Sequence, residues 1–236
     1  MTIACSILAA QEPSVSIFKH FVVAGGWITW FVLIPLSVIS LGMMLHYLLT
    51  IRRGTLAPVK LGRALVNAAR QGQREVVAEL TREDESLLGV GTFAAVSQLD
   101  RGVEAAKAAA DEAIEERVTR LFRRIEYLNV IGNVSPMIGL FGTVVGMIQA
   151  FNTIFAAGGG MPQPSILARD IAVALVTTFW GLLIAIPALT AFAIFRNRVD
   201  AYAAESIKLC DGLVAKLSEG PSAEKPQDSR VPVEAK

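Results

Sequence analysis

The sequence predicts an all-α fold, an integral membrane protein with three transmembrane helices and a helical cytoplasmic region, N-terminus outside and C-terminus inside. Three observations lead there. Residues 21–49, 128–157 and 171–195 carry no formal charge, and each stretch exceeds the roughly 20 apolar residues a helix needs to cross a bilayer. Basic residues concentrate on one side of these stretches. The chain as a whole is 53% hydrophobic with a mean hydropathy of +0.50, while its 22 basic and 21 acidic residues almost cancel. Net charge therefore points to neither nucleic acid nor an acidic partner.

Residues 1–20 form a periplasmic N-terminal segment. Its first ten residues are apolar and end in small side chains before Gln11, as the end of a signal peptide does. They lack a basic n-region and are short, so a surface-lying amphipathic segment is the other reading. Residues 21–49 are the first transmembrane helix. Arg52, Arg53, Lys60 and Arg63 follow it, Arg117, Arg120, Arg123 and Arg124 precede the second, and Arg196 and Arg198 follow the third. The positive-inside rule makes those flanks cytoplasmic. The opposite side holds Lys19 and the loop 158–170, whose one cation is Arg169.

The cytoplasmic segment 50–127 reads as helical. From 59 to 80 the apolar residues Leu61, Leu65, Val66, Ala69, Val76, Val77 and Leu80 keep mostly helical spacing, with a turn expected at Gly72. From 101 to 124 the chain is rich in Ala, Glu and Arg, good helix formers, and no breaker separates it from the second span, 128–157. One continuous helix is expected there, bent at Pro136 with Gly132 beside it, and Pro187 is the matching kink position in the third span, 171–195. Residues 196–218 are expected as a cytoplasmic helix. Residues 219–236, with Pro221, Pro226 and Pro232 among charges, are expected as a disordered tail.

Within the second span the run Gly139-Leu-Phe-Gly-Thr-Val-Val-Gly-Met-Ile-Gln-Ala-Phe151 places Gly139, Gly142, Thr143 and Gly146 at three- and four-residue spacing. In water such glycines cost a helix about 1 kcal/mol each. In a membrane they let helix backbones touch, so this stripe predicts packing against other helices around something polar. No enzyme pattern accompanies it. His20 and His46 are far apart, Cys5 and Cys210 fall on opposite faces, and neither a metal-ligand spacing nor a nucleotide loop is present. The run Gly158 to Gly160 lacks the strand and helix context that phosphate binding requires, and reads as a turn. No cofactor is expected, so any work done must draw its energy from elsewhere.

Residues 135–147, Ser-Pro-Met-Ile-Gly-Leu-Phe-Gly-Thr-Val-Val-Gly-Met, resemble the signature of the MotA/TolQ/ExbB proton channel family, and residues 174–188, Ala-Leu-Val-Thr-Thr-Phe-Trp-Gly-Leu-Leu-Ile-Ala-Ile-Pro-Ala, resemble its second motif. Three spans rather than four are similar to the ExbB and TolQ branch. The resemblance implies a homo-pentamer in the bacterial inner membrane, in contact with lipid, enclosing the single spans of an ExbD- or TolR-like partner. It implies proton flow that drives a TonB- or TolA-like effector. A proton crossing a membrane potential yields about 2.3 kcal/mol per 100 mV, enough for work without nucleotide.

The same resemblance places Thr143 and Thr178 at channel-lining positions, with Thr177 adjacent, and Gly139, Gly142, Gly146 and Gly181 at helix-packing positions. Read alone, a membrane threonine bonds the carbonyl three or four residues back and simply packs. One departure matters: Val173 stands where ExbB and TolQ relatives usually carry Glu, and Val cannot relay a proton. The acid then comes from the partner's span or from Asp170, one turn nearer the outer face. Asp170 also reads as a helix N-terminal carboxylate favoured by the macrodipole, and that reading is preferred because interfacial acids are cheap. Two further classes remain, a non-conducting oligomeric scaffold and a sodium-driven motor of the same family. A small secondary transporter is disfavoured, since internal repeats and a deep charge are lacking.

Overall fold

The computed structural model describes residues 26–158 and 163–219, and every described element is helical. Readings that concern the N-terminal segment, Cys5, His20, the glycines at 159 and 160 and the tail beyond 219 lie outside these residues. Three helices are long and apolar enough to cross a membrane: α1 (Gly26–Thr50), α6 (Val103–Ala156) and α7 (Pro164–Glu219). Between α1 and α6 come α2 (Arg53–Leu56), α3 (Val59–Arg70), α4 (Arg74–Thr81), α5 (Leu87–Gln98) and a 3₁₀ turn, Leu99–Arg101. The chain divides into two compact units, one from Met1–Leu49 with Arg124–Phe195 and one from Thr50–Arg123 with Arg196–Lys236.

The first unit contains the apolar spans. Helix α1 opens with a π-helical stretch, Thr29–Leu33, in which Ile34 N–H donates to the Thr29 carbonyl. Pro35 follows immediately. A proline ring crowds the carbonyl four residues back, and widening the preceding turn relieves that clash. At the other end of α1, Tyr47 Oη donates to the Arg124 carbonyl at 2.6 Å, and its ring meets Phe195 edge-on with centroids 6.1 Å apart. Both α6 and α7 run through their prolines, Pro136 and Pro187, as single helices.

In the second unit Gly72, at φ +68°, turns the chain between α3 and α4, a left-handed conformation that disfavours residues with a Cβ. Helix α5 had no signal in apolar periodicity. Its buried face is made by Leu87, Leu88, Gly89, Gly91, Thr92 and Ala95, while its exposed face carries the apolar Phe93, so no contrast of apolar and polar faces marks it. Its start is set by Ser86, whose Oγ accepts from Gly89 N–H at 3.0 Å, while Asp84 Oδ1 accepts from Ser86 N–H at 2.8 Å. Gly91 admits Ile114 and Cys210 so closely that a Cβ would lie 2.6 Å from Ile114 Cδ1 and 3.2 Å from Cys210 Sγ.

Two boundaries differ from the sequence expectation. The third membrane helix begins at Pro164 rather than Ile171, and it continues unbroken to Glu219 instead of giving way to a separate helix at 196. Proline is well placed at a helix start, where its missing N–H is not needed. Nothing from Phe195 to Val199 breaks the helix, since Arg196, Asn197 and Arg198 only turn its surface polar.

Two outcomes are expected of the second unit. Ser86→Ala removes the α5 cap and should lower stability by about 1 kcal/mol, seen as a reduced thermal midpoint of the solubilised protein. Burial pushes the Cys210 thiol up to about 11, from an ordinary 9.0. In a Cys5→Ser background it should therefore resist thiol alkylation at pH 8 until the protein unfolds. The folded state binds this proton more tightly, so the stability it contributes is complete below about pH 9 and declines as pH rises through about 11.

Candidate functional site

Along α6, small or polar residues recur at steps of three and four: Gly132, Ser135, Gly139, Gly142, Gly146, Gln149 and Thr153. This is the repeat by which two helices keep one seam in contact. A Cβ added to Gly139 would stand 3.0 Å from Thr178 Cα, one on Gly142 2.6 Å from Thr177 Cβ, and one on Gly146 3.1 Å from Ala174 Cα. Seen from α7, a Cβ on Gly181 would lie 2.6 Å from the Ser135 carbonyl oxygen and 3.1 Å from Gly139 Cα. Partner numbers fall along α7 as they rise along α6, so the two helices are antiparallel. The glycine stripe thus packs on the third helix of its own chain.

The threonines divide into two kinds. Thr178 Oγ1 donates across the seam to the Gly139 carbonyl at 3.1 Å. Thr177 Oγ1 donates to Ala174 O at 2.8 Å and Thr143 Oγ1 to Leu140 O at 2.7 Å, each three residues back on its own helix. Thr177 is buried against Gly142. Thr143 is half-buried, one position off the seam, and does not join it to α7.

Near the start of α7 the seam opens into a cavity of about 190 Å³, lined on α7 by Asp170, Val173 and Thr177, on α6 by Gly146 and Gln149, and on α1 by Trp27. Gly26 closes against Val173, with a Cβ position 3.1 Å from Val173 Cγ1. Asp170 Oδ2 accepts from Thr153 Oγ1 at 3.1 Å. Because α7 begins at Pro164, Asp170 lies in its second turn, and no acid occupies the first turn. The macrodipole acts mainly within one turn of the end, so the preferred helix-terminal reading of Asp170 does not fit. A larger groove, about 430 Å³ in the second unit, is edged by Arg63 and Arg70 but contains no residue of either sequence motif.

The structure therefore brings Thr177, Asp170, Gly142 and Gly146 to one cavity, places Thr178, Gly139 and Gly181 further along the same seam, and leaves Thr143 beside it. Gln149 and Thr153 were not singled out from sequence. Their signal was present, since they continue the spacing of Gly142 and Gly146 in polar form.

These features define an all-helical integral membrane protein with a polar cavity among its spans. A family model described as the MotA/TolQ/ExbB proton channel family matches residues 71–206, and the chain belongs to that family, one of transport-energising channel proteins of the bacterial inner membrane. The match begins after α1, so the first span rests on composition and structure, whereas helices α4 and α5 fall within the match. Biopolymer transport protein exbB1 of Vibrio cholerae is 37% identical over 100 residues, 42% of each chain. Tol-Pal system protein TolQ of Haemophilus influenzae is 38% identical over 89 residues, 38% of each chain. Biopolymer transport protein ExbB of Salmonella typhimurium is 38% identical over 106 residues, 40% of this chain and 43% of its own. The chain thus spans about two fifths of the length of the curated relatives it matches.

The seam predicts a ranking of substitutions. Gly139→Leu and Gly181→Leu drive a full side chain against backbone on the facing helix, whereas Gly142→Ala adds one methyl against the Thr177 side chain and calls for a smaller local shift. The leucine variants should lose about 1 to 3 kcal/mol or more and fail to yield a folded protomer, with Gly142→Ala milder. Thermal stability and monodispersity of the detergent-extracted protein measure this. Equal behaviour of all three would remove the seam from the argument.

Proposed function

We propose that this chain is the proton-conducting ring subunit of an inner-membrane energy-transducing motor. The ring is a homo-pentamer enclosing an ExbD/TolR-like single-span protein, and its motion drives a TonB- or TolA-like effector for transport or envelope maintenance. The N-terminus lies outside and the C-terminus inside, as the basic flanks require. One observation carries the reading: a family member whose second and third spans meet at backbone distance, with Thr178, Thr177 and Asp170 along that contact. Placing hydroxyls and a half-buried carboxylate among apolar spans is costly unless they serve a path or a structure.

Support also comes from the outer face of α6. Leu140, Phe141, Val144, Met147 and Phe151 are exposed on the isolated protomer, a surface suited to lipid or to neighbouring copies. Thr143 borders that face and is placed to line a passage between the protomer and whatever packs on it. Val173 removes the acid that relatives usually carry there, so the ionisable group is supplied by Asp170, by the partner, or by both.

Reconstitution of the chain with its single-span partner, with flux measured under separate proton and sodium gradients, tests the proposal. Thr143→Val and Thr178→Val keep shape and delete the hydroxyl. The double variant should assemble yet lose most ion flux, because membrane hydrogen bonds average only about 0.6 kcal/mol and their loss should not dismantle the complex. Normal flux in the double variant would rule out the hydroxyl path. Assembly without flux of either ion in the unsubstituted complex would leave the non-conducting scaffold, and flux driven by sodium alone the sodium motor.

A further inference from the structure

We propose that each subunit carries its own cation-loading cavity among its three membrane helices, in which Asp170 takes up the ion and Thr153 positions the carboxylate. This rests on the channel reading above and names where, within one chain, the ion is first held. The cavity of about 190 Å³ is large enough to admit water and a small cation. Its wall offers oxygen ligands from Asp170 and Thr177 and an amide from Gln149. Thr153 reaches Asp170 from α6, its hydroxyl shared between Asp170 Oδ2 and the Gln149 carbonyl, both at 3.1 Å. Among the described residues no hydrogen bond engages Oδ1, and the proposal gives that oxygen to the ion.

The charged groups lining this cavity are few. On α7 they are Arg169 and Asp170 itself, while α6 presents Gln149 and α1 presents Trp27, Ile28 and Gly26, none ionisable. Among the described residues Asp170 is thus the single carboxylate of the cavity wall. The proton step balances simply: an O–H bond forms on Asp170 as one breaks on hydronium, leaving water, and release to a second water reverses it. Sodium would be held by the same carboxylate, hydroxyl and amide oxygens without bond changes. The common chemistry is a small monovalent cation on an oxygen-lined site.

Thr153 acts through Asp170, so its role is separable from simple packing. A hydroxyl donating to a carboxylate fixes its orientation and polarises it, so deleting that hydroxyl should change the carboxylate's vibration. The full chain in lipid nanodiscs would be followed by infrared difference spectroscopy at the carboxyl band that Asp170→Asn removes. Thr153→Val should shift that band through loss of the hydrogen bond, and Thr153→Ser should restore it. Replacing choline chloride by sodium chloride should shift the band if sodium is the ligand, and leave it in place if the proton is.

In the reconstituted complex, Asp170→Asn should stop flux while the oligomer stays assembled. An unmoved band in Thr153→Val, or wild-type flux in assembled Asp170→Asn, would overturn the proposal. An unsubstituted complex that conducts neither ion would instead defeat the channel reading, and the infrared spectra would still decide whether Thr153 positions Asp170.

Discussion

Backbone contact between α6 and α7 is the constraint on which the membrane unit depends. Gly139 and Gly181 face one another, and a Cβ on Gly181 would stand 3.1 Å from Gly139 Cα. Lipid offers no hydrophobic force to bring helices together, so such contact relies on dispersion and on polar groups that reach across. Thr178 reaches Gly139 O because no side chain intervenes. At the other end of the seam the same approach brings Thr153 to Asp170. Any residue that forced the helices apart would separate both pairs together, so packing and polar chemistry here form one interaction.

Much of this was legible in the sequence. Charge-free length marked the spans, and the glycine spacing marked a packing face. The turn at Gly72 and the unbroken helix into the second span follow from the absence or presence of a breaker residue, and both are seen. What the stripe packs against was not legible, because spacing along one helix says nothing about whether its partner belongs to the same chain. Helix α5 was not marked as a separate element within the segment read as helical for a different reason, since apolar residues such as Phe93 on its exposed face leave no period to detect.

The start of α7 shows how one boundary alters a chemical reading. Absence of charge suggested Ile171 as the first residue, because Arg169 and Asp170 interrupt the apolar run. Hydropathy reports where a helix is apolar, not where it is helical, and Pro164 is the better start signal. With α7 extended, Asp170 moves from a terminus into a wall, opposite Gln149 and Thr153. Val173, one turn onward, closes against Gly26 instead of offering a carboxylate. The acid has not vanished from this face of the helix; it lies three residues nearer the start, where α6 supplies a hydroxyl to meet it.

The orientation of the hydroxyls bears on which ions such a surface accepts. A carbonyl or a carboxylate can only receive, so the donor in each pair is the threonine. Thr143 donates to Leu140 O, Thr177 to Ala174 O, Thr178 to Gly139 O, and Thr153 to Gln149 O and Asp170. Each hydroxyl proton is thereby turned toward protein, and the oxygen's two lone pairs are left as acceptors. Lone pairs accept from hydronium or coordinate a small cation, and they offer an anion nothing. The back-bonding that looks like mere packing in a single threonine therefore has a second effect when Thr153, Thr177 and Thr178 lie along one seam with Thr143 beside it: it fixes where their dipoles point, so that under the proposed channel reading little reorganisation would be needed to meet a cation.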